Sequence, residues 1–354
     1  MVQQIWKDKG IPDGTINKDV TSEFAKRLWG GVTEGYGKPA KLFNEGKIDY
    51  TTPNFKMLTE LQKNVWQFSS AKNYTQMRQI SNALIGDNSK LRSFNEFKAA
   101  AGIINDAHTK QYLKTEYNLA VNGAQMAAKW VDIEEQADTL PYLQFDAVLD
   151  RQTTELCAGL DGTILPIHHP FWNTYYPPNH WNCRSTVRQL ATGVVTPHDQ
   201  IPSADIPPMF QTNLAKHELI YPKGSSYFID KPENINGINA LRNELRELAY
   251  KRVEGKIIKV EGIGEVHITR RGIRKCLTQN TASEFYNFKN NLVPLSISIL
   301  ENLHNIHLED NLNDQSLKVW KANIKGLKYF KVVIKQEVHD GKIINALYSI
   351  TGGK

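Results

Sequence analysis

The chain is short of several features that would place a protein in a class at a glance. No stretch reaches the roughly 18 consecutive apolar residues that a membrane-crossing helix needs, so no transmembrane span is predicted. The opening Met1-Val2-Gln3-Gln4-Ile5-Trp6-Lys7-Asp8 lacks the positive-then-apolar order of a secretory signal, and the expectation is a protein made and, at first, kept in a cytosol. Cysteine is scarce, and three residues in 354 are too few, and odd in number, for a disulfide framework. There is no internal repeat and no low-complexity tract, which excludes solenoid and compositionally disordered classes.

What is present fits an ordinary globular protein: 354 residues are long for one core, and 40% hydrophobic content can bury two, so two domains are predicted. The charge is modest overall but unevenly placed. Residues 235–354 carry 19 Lys and Arg against 12 Asp and Glu, a net of +7, which leaves 24 against 25 for residues 1–234. A basic C-terminal third suits a polyanionic partner, because clustered cations gain affinity by displacing counterions from phosphates. A solvated basic surface is the plainer alternative.

Residues 1–140 read as mostly helical. Thr52-Pro53 supplies an N-cap and first-turn proline, and Phe55, Leu58, Leu61, Val65 and Phe68 follow at spacings of three and four. Ser93 and Glu96 form a capping box ahead of a periodic segment, Phe94, Phe97, Ala101, Ile104, Tyr112, Leu119, Met126 and Trp130, with Gly102 and Gly123 as its expected weak points. These aromatic and methionine stripes are read as core rather than as a cofactor box.

The densest chemistry lies between Asp150 and Arg188, in Asp150-Arg151-Gln152-Thr153-Thr154-Glu155-Leu156-Cys157-Ala158-Gly159-Leu160-Asp161-Gly162 and Pro177-Pro178-Asn179-His180-Trp181-Asn182-Cys183-Arg184-Ser185. Two cysteines, His168, His169, His180 and two tryptophans fall within about 40 residues, too rich in proline and aromatics for a regular helix. Cys157, His180 and Cys183, with His169 or His168 as a fourth, can surround zinc. A Cys157–Cys183 disulfide and two packed thiols beside a hydrogen-bonded imidazole are the alternatives, and in each the role is structural. A zinc hydrolase at the same residues would need an acid or base, for which Asp161 is the neighbour.

Leu-Asp-Gly after a cysteine, then Pro-Pro-x-His-x-x-Cys-Arg, resembles the signature of the phage head morphogenesis family, the Mu F-like minor head proteins. Lys114-Thr115-Glu116-Tyr117-Asn118, Ala127-Ala128-Lys129-Trp130 and Pro208-Met209-Phe210-Gln211-Thr212-Asn213-Leu214-Ala215 extend the likeness over roughly residues 15–232. The resemblance implies a head morphogenesis module over residues 1–232 with phage portal and capsid proteins as partners, assembled in the bacterial host cytoplasm and then carried in the virion head. Pro202, Pro207, Pro208 and Pro222 interrupt every period between about 191 and 234, which reads as an extended, irregular connector.

Residues 235–354 read as a small α+β domain with an antiparallel sheet. Ile238, Leu241, Leu245 and Leu248 mark a helix, Lys256–Val260 and Val266–Ile268 extended pieces, and Leu295–Ile306 a further helix. Asp340-Gly341 between two apolar runs predicts a type I′ hairpin. If Thr269 caps a helix, Arg271, Arg274 and Lys275 share one face, with Arg270 adjoining and His267 just before it. That set suits metal-free RNA cleavage, in which a base takes the 2′-hydroxyl proton, cations hold the phosphate and an acid protonates the leaving 5′-oxygen.

His-Ile-Thr-x-x-Gly-Ile-x-Lys with a terminal hairpin ending Leu347-Tyr348-Ser349-Ile350-Thr351 resembles the phage-associated barnase, EndoU, colicin and RelE-like nuclease domains. The likeness implies a metal-independent endoribonuclease toxin needing no cofactor, with an immunity protein as a candidate partner. It casts His267 as acid or base, Lys275 with Arg270, Arg271 and Arg274 on phosphate, and Tyr348 or Thr351 completing the pocket. No carboxylate stands out as a base, Glu261 and Glu265 being near in sequence only. A structural capsid component whose basic domain binds nucleic acid without turnover is the alternative reading, and neither reading involves a membrane.

Overall fold

The computed structural model describes residues 2–12, 14–279, 281–309 and 316–353. They form two compact units, one of Met1–Lys41 with Leu61–Ile238, the other of Leu42–Glu60 with Asn239–Lys354. The chain therefore contributes to the second unit twice.

Helices α1 (Val2–Asp8), α2 (Lys18–Tyr36), α3 (Lys38–Glu45), α4 (Pro53–Asn82), α5 (Phe94–Asp106) and α6 (Tyr112–Glu135) make the N-terminal region helical. Asn17 caps α2 by accepting from the amides of Asp19 and Val20, and the Ser93–Glu96 capping box that opens α5 is complete. The expected weak points at Gly102 and Gly123 do not interrupt anything. A β-carbon at Gly102 would meet open space and one at Gly123 only ordinary contact with Ile220, so neither glycine marks a break. The irregularity falls instead at Ala107–Gln111, a single π-helical turn. Its extra residue turns His108 inward, where the imidazole Nε2 sits 2.8 Å from Gln79 Oε1.

Helix α2 packs along α6 so closely that a β-carbon at Gly35 would stand 1.9 Å from the Val121 carbonyl oxygen. The predicted core stripe is buried at Phe97, Leu119, Met126 and Trp130. Within this apolar bundle the Lys72 ammonium and Glu116 carboxylate lie 2.5 Å apart and are almost wholly buried. Phe24 presents its ring to the Lys72 ammonium, and the Tyr221 hydroxyl donates to the Glu116 carbonyl.

After α6 come β1 (Tyr142–Asp146), α7 (Glu155–Leu160), β2 (Ile164–Pro166), α8 (Phe171–Tyr175) and β3 (Thr186–Leu190). The strands form an antiparallel sheet in the order β2-β1-β3, so the stretch expected to be irregular has an ordered frame. The proline-rich chain beyond it holds two 3₁₀ turns, His198–Gln200 and Pro208–Phe210, and one short α-helix, α9 (Ser226–Ile229). It is nevertheless fixed to the helices: Phe210, Leu214, Ile220 and Tyr221 are buried, and Tyr221 stacks on Phe68 with ring centroids 3.7 Å apart. Asn64 accepts from the Ile220 and Tyr221 amides and donates to the Tyr221 carbonyl, which satisfies backbone that has no secondary structure to pair with.

The second unit runs α10 (Ile238–Val253), β4 (Ile257–Val260), β5 (Gly264–His267), α11 (Arg270–Thr278), α12 (Ser283–Leu292), α13 (Ser296–Glu301), β6 (Leu303–Glu309), β7 (Val319–Ile324), β8 (Leu327–His339) and β9 (Lys342–Gly352). Its sheet order is β4-β5-β9-β8-β7-β6. The sheet is mixed where an antiparallel one was expected, because β5 and β9 pair in parallel across the intervening helices. The helix expected to reach Ile306 ends at Glu301, since Leu303–Glu309 pairs with β7 instead. The hairpin is as read: His339 faces Lys342 across a two-residue loop, with positive φ at both Asp340 and Gly341. Phe55 meets Phe288 edge-on and Phe288 stacks on Phe330 in this unit, and the buried Lys289 ammonium donates to the Cys276 and Gln279 carbonyls that end α11. No helix among the described residues is long and apolar enough to cross a membrane.

Two measurements check this packing. Gly35→Ala should cost about 1–3 kcal/mol of stability by forcing α2 from α6, whereas Gly30→Ala on the open side of the same helix should be neutral or gain about 0.5–1 kcal/mol; chemical denaturation of both variants separates the cases. Burial beside Lys72 pushes His108 down to about 4, against about 6.5 unfolded. The unfolded chain then takes a proton that the folded chain refuses between those values, so stability falls as pH drops through that window. The loss should reach about 3 kcal/mol, and His108→Gln should show a shallower decline from pH 7 to pH 4.

Candidate metal centre and basic sheet face

Local chain geometry assembles the cysteine–histidine set. Thr154 caps α7 by accepting from the Cys157 amide, which places that thiol on the first helical turn, facing inward. Beyond a cis Pro177–Pro178 bond and a left-handed Asn182, the His180 carbonyl accepts from the Cys183 amide and turns the second thiol back. His180 Nδ1 lies 2.8 Å from the Trp181 carbonyl oxygen. A proton on Nδ1 satisfies that carbonyl and leaves the Nε2 lone pair facing Cys157 Sγ at 3.2 Å.

The two sulfurs are 3.9 Å apart, and the three ligand atoms all lie within 4.8 Å of one another. Zinc bound tetrahedrally at about 2.3 Å from sulfur and about 2.0–2.1 Å from nitrogen would need sulfur–sulfur and sulfur–nitrogen separations of about 3.8 and about 3.6 Å. The 3.9 Å between the sulfurs lies close to the first value and the 3.2 Å from Cys157 to His180 somewhat below the second, while a disulfide would require the sulfurs to close to about 2.05 Å; the thiols are free. Hydrogen bonding from Cys157 and from the Asn179 and Ser185 amides pulls Cys183 down in spite of burial, and Cys157 is pushed up by sharing its proton with Cys183 and by burial. His180 is raised, chiefly by its contact with Cys157.

Of the fourth-ligand and acid–base candidates, neither His169 nor Asp161 joins this group. His169 Nδ1 accepts from the Phe171 amide, and Asp161 accepts from the Ala147 amide to hold the β1 turn. A small cleft lined by Val148, Gln152, Thr153, Arg184 and Ser185 opens beside Cys157 and His180. On its rim the Arg184 guanidinium forks onto Asp150 at 2.7 and 2.5 Å, holding that carboxyl well below the usual carboxylate range. So committed, the Asp150 carboxylate is not free to act as a base beside the three ligand atoms.

The second constellation is made by sheet register. His267 on β5 pairs with Ala346 on β9, which pairs with Lys335 on β8, so the three side chains share one face in a row. Tyr348 stands at a β-bulge between Ser349 and Leu347, which re-aims it from the regular alternation. Its ring lies 4.0 Å from Lys335 Nζ and 5.9 Å from Lys275 Nζ. Thr269 caps α11 as expected, and Gly272 lets that helix settle on β9, where a β-carbon would meet the Leu347 carbonyl oxygen at 2.1 Å. Arg271 then reaches Glu337 on β8 at 3.6 Å.

The structure thus brings His267, Lys275, Tyr348 and Arg271 toward one face and leaves others apart. Arg270 turns to α10, over Tyr250 at 4.2 Å and beside Glu254; Arg274 is exposed; Thr351 pairs with Lys331, four residues along β8 from Lys335. Lys335 and Glu337 were missed in the sequence because they lie some 60 residues beyond the basic helix, and only strand pairing reveals them.

Residues 59–188 match the family described as Phage Mu protein F like protein. The chain is 39% identical over 79 residues to a protein of Escherichia phage Mu titled putative capsid assembly protein F, covering 22% of this chain and 18% of that protein. It is 38% identical over 68 residues to the Mu-like prophage FluMu F protein of Haemophilus influenzae, covering 19% and 16%. The matched segments span less than a fifth of either relative. No solved structure matches. The family match runs from α4 through β3 and includes the whole cysteine–histidine set.

The thiols provide a check on the electrostatics. Under native conditions without metal, limited alkylation should label Cys183 before either Cys157 or Cys276, both of which are pushed up to about 12. Peptide mass spectrometry reads the order, and early labelling of Cys276 would contradict it.

Proposed function

We propose that the chain is a minor head protein of a phage or prophage, docking at the portal or inside the procapsid through its first unit. The observation that carries this reading is the family match over residues 59–188, joined to the capsid-assembly title of the phage Mu relative. In this reading Cys157, His180 and Cys183 hold a structural zinc that ties α7 to the loop before β3, doing for a proline-rich segment what a larger core would otherwise do.

The second unit is proposed as a metal-independent endoribonuclease, carried as cargo with the head and acting on RNA. Support comes from the basic excess of residues 235–354 and from the shared face of His267, Lys275, Tyr348 and Arg271. The rival, a nucleic-acid-binding capsid component without turnover, draws on the commitment of Arg270 and Arg271 to ion pairs with Glu254 and Glu337.

One preparation tests both parts. Metal analysis of the purified chain should find about one zinc per molecule, lost when Cys157 and Cys183 are both changed to serine. RNA cleavage in EDTA should proceed with wild type and fall by about 10²–10⁴ in His267→Ala. Salt-sensitive RNA binding with no cleavage in either protein would establish the binding-only alternative.

A further inference from the structure

Zinc held tetrahedrally needs one donor more than Cys157, His180 and Cys183 supply. Among the described residues no other cysteine, histidine or carboxylate joins the three: His169 and Asp161 accept from backbone amides, and the Asp150 carboxylate on the cleft rim is forked by Arg184. The set is not evenly enclosed. Cys183 is buried, and its sulfur takes hydrogen bonds from the Asn179 and Ser185 amides. Cys157 is buried too, but together with the half-buried His180 it forms part of the wall of the small cleft, so a cation on the set meets solvent on the cleft side. The cleft has a volume of about 10 Å³, close to what one water-sized donor needs.

A hydroxyl on that wall has a proton to give. Thr154 Oγ1 accepts from the Cys157 amide at 3.3 Å and lies 3.2 Å from His180 Nε2, the acceptor within reach of its own proton. A cation on Nε2 takes up that lone pair and leaves the Thr154 proton facing the cleft without an acceptor. An anionic donor on the cation meets both needs, completing the coordination and accepting from Thr154. We infer that zinc on Cys157, His180 and Cys183 takes its fourth ligand from solution, a small monodentate anion seated in the cleft and hydrogen-bonded by Thr154. Hydroxide is the member of that class which solvent supplies. The inference rests on the zinc reading and changes its kind: the tie between α7 and the loop before β3 is kept, while one coordination position exchanges. Two thiolates and a neutral imidazole already cancel the charge of the cation, so one coordination bond and one hydrogen bond hold the anion, and net charge does not.

The test uses the full chain loaded with cobalt(II) in place of zinc, whose visible bands report the donor set, and sodium azide as the probe anion. Azide should move the bands to a saturating limit at one azide per metal. Thr154→Val should weaken azide about tenfold or more, the loss of a hydrogen bond to a charged group, while Thr154→Ser, which keeps the hydroxyl, should bind it nearly as wild type does. Because Thr154 also caps α7, cobalt uptake by both variants is measured alongside, and uptake equal to wild type shows the three ligands still assembled. Bands that azide does not move in wild type would overturn the inference, since the chain then supplies the fourth ligand, and the zinc reading would stand. Azide binding as tight in Thr154→Val as in wild type would overturn the part given to its hydroxyl. A chain that takes up neither cobalt nor zinc would remove the zinc reading and this inference with it.

Discussion

The first unit is organised around one expensive contact, the buried ion pair of Lys72 and Glu116. Removing two charges from water costs several kcal/mol per ion, and their attraction repays this only when the geometry is tight and the remaining donors and acceptors are used. The partners are placed accordingly: Phe24 of α2 faces the ammonium, Tyr227 hydrogen-bonds the carboxylate, and Tyr221 donates to the backbone of the same α6 residue. Lys72 lies on α4 and Glu116 on α6, so the pair sets the register of those helices and also gathers α2 and the proline-rich segment. Its worth lies in specifying one arrangement. A slip of either helix by a residue would leave a charge stranded in an apolar bundle.

How much of this could be read beforehand varied with the range of the interaction. Capping at Ser93, Thr269 as a helix start and Asp340-Gly341 as a hairpin all follow from residues within four positions of one another, and local chemistry decides them. Cys157, His180 and Cys183 were also legible, because three soft or borderline ligands in a turn-rich stretch have few other reasons to sit together. Gly102 and Gly123 misled because one glycine costs a helix only about 1 kcal/mol, which the packed faces of α5 and α6 outweigh. The parallel pairing of β5 with β9 and the strand at Leu303–Glu309 were hidden, since both depend on partners well removed in sequence.

The two candidate sites differ in the same way. The cysteine–histidine set is held by loops whose backbone geometry is fixed by caps and a left-handed residue, so its spacing is a local property. The basic face exists only once β5, β9 and β8 have paired in register, and a shift of one residue along β9 would turn Tyr348 and Ala346 to the opposite side. The bulge at Tyr348 anchors that register as well as aiming the ring. Its lysines also explain why charge was visible in composition while its organisation was not.

The twofold contribution of the chain to the second unit has a consequence for how the polypeptide is made. Leu42–Glu60 leaves the ribosome early, yet the partners it needs begin at Asn239, about 180 residues later. At about 5–20 residues per second, that segment waits roughly ten to forty seconds before Phe55 can meet Phe288. Vectorial synthesis thus finishes the helical body around a gap in sequence before the basic body can close, and a protease cutting between the two late in life would release a fragment missing its own first nineteen residues.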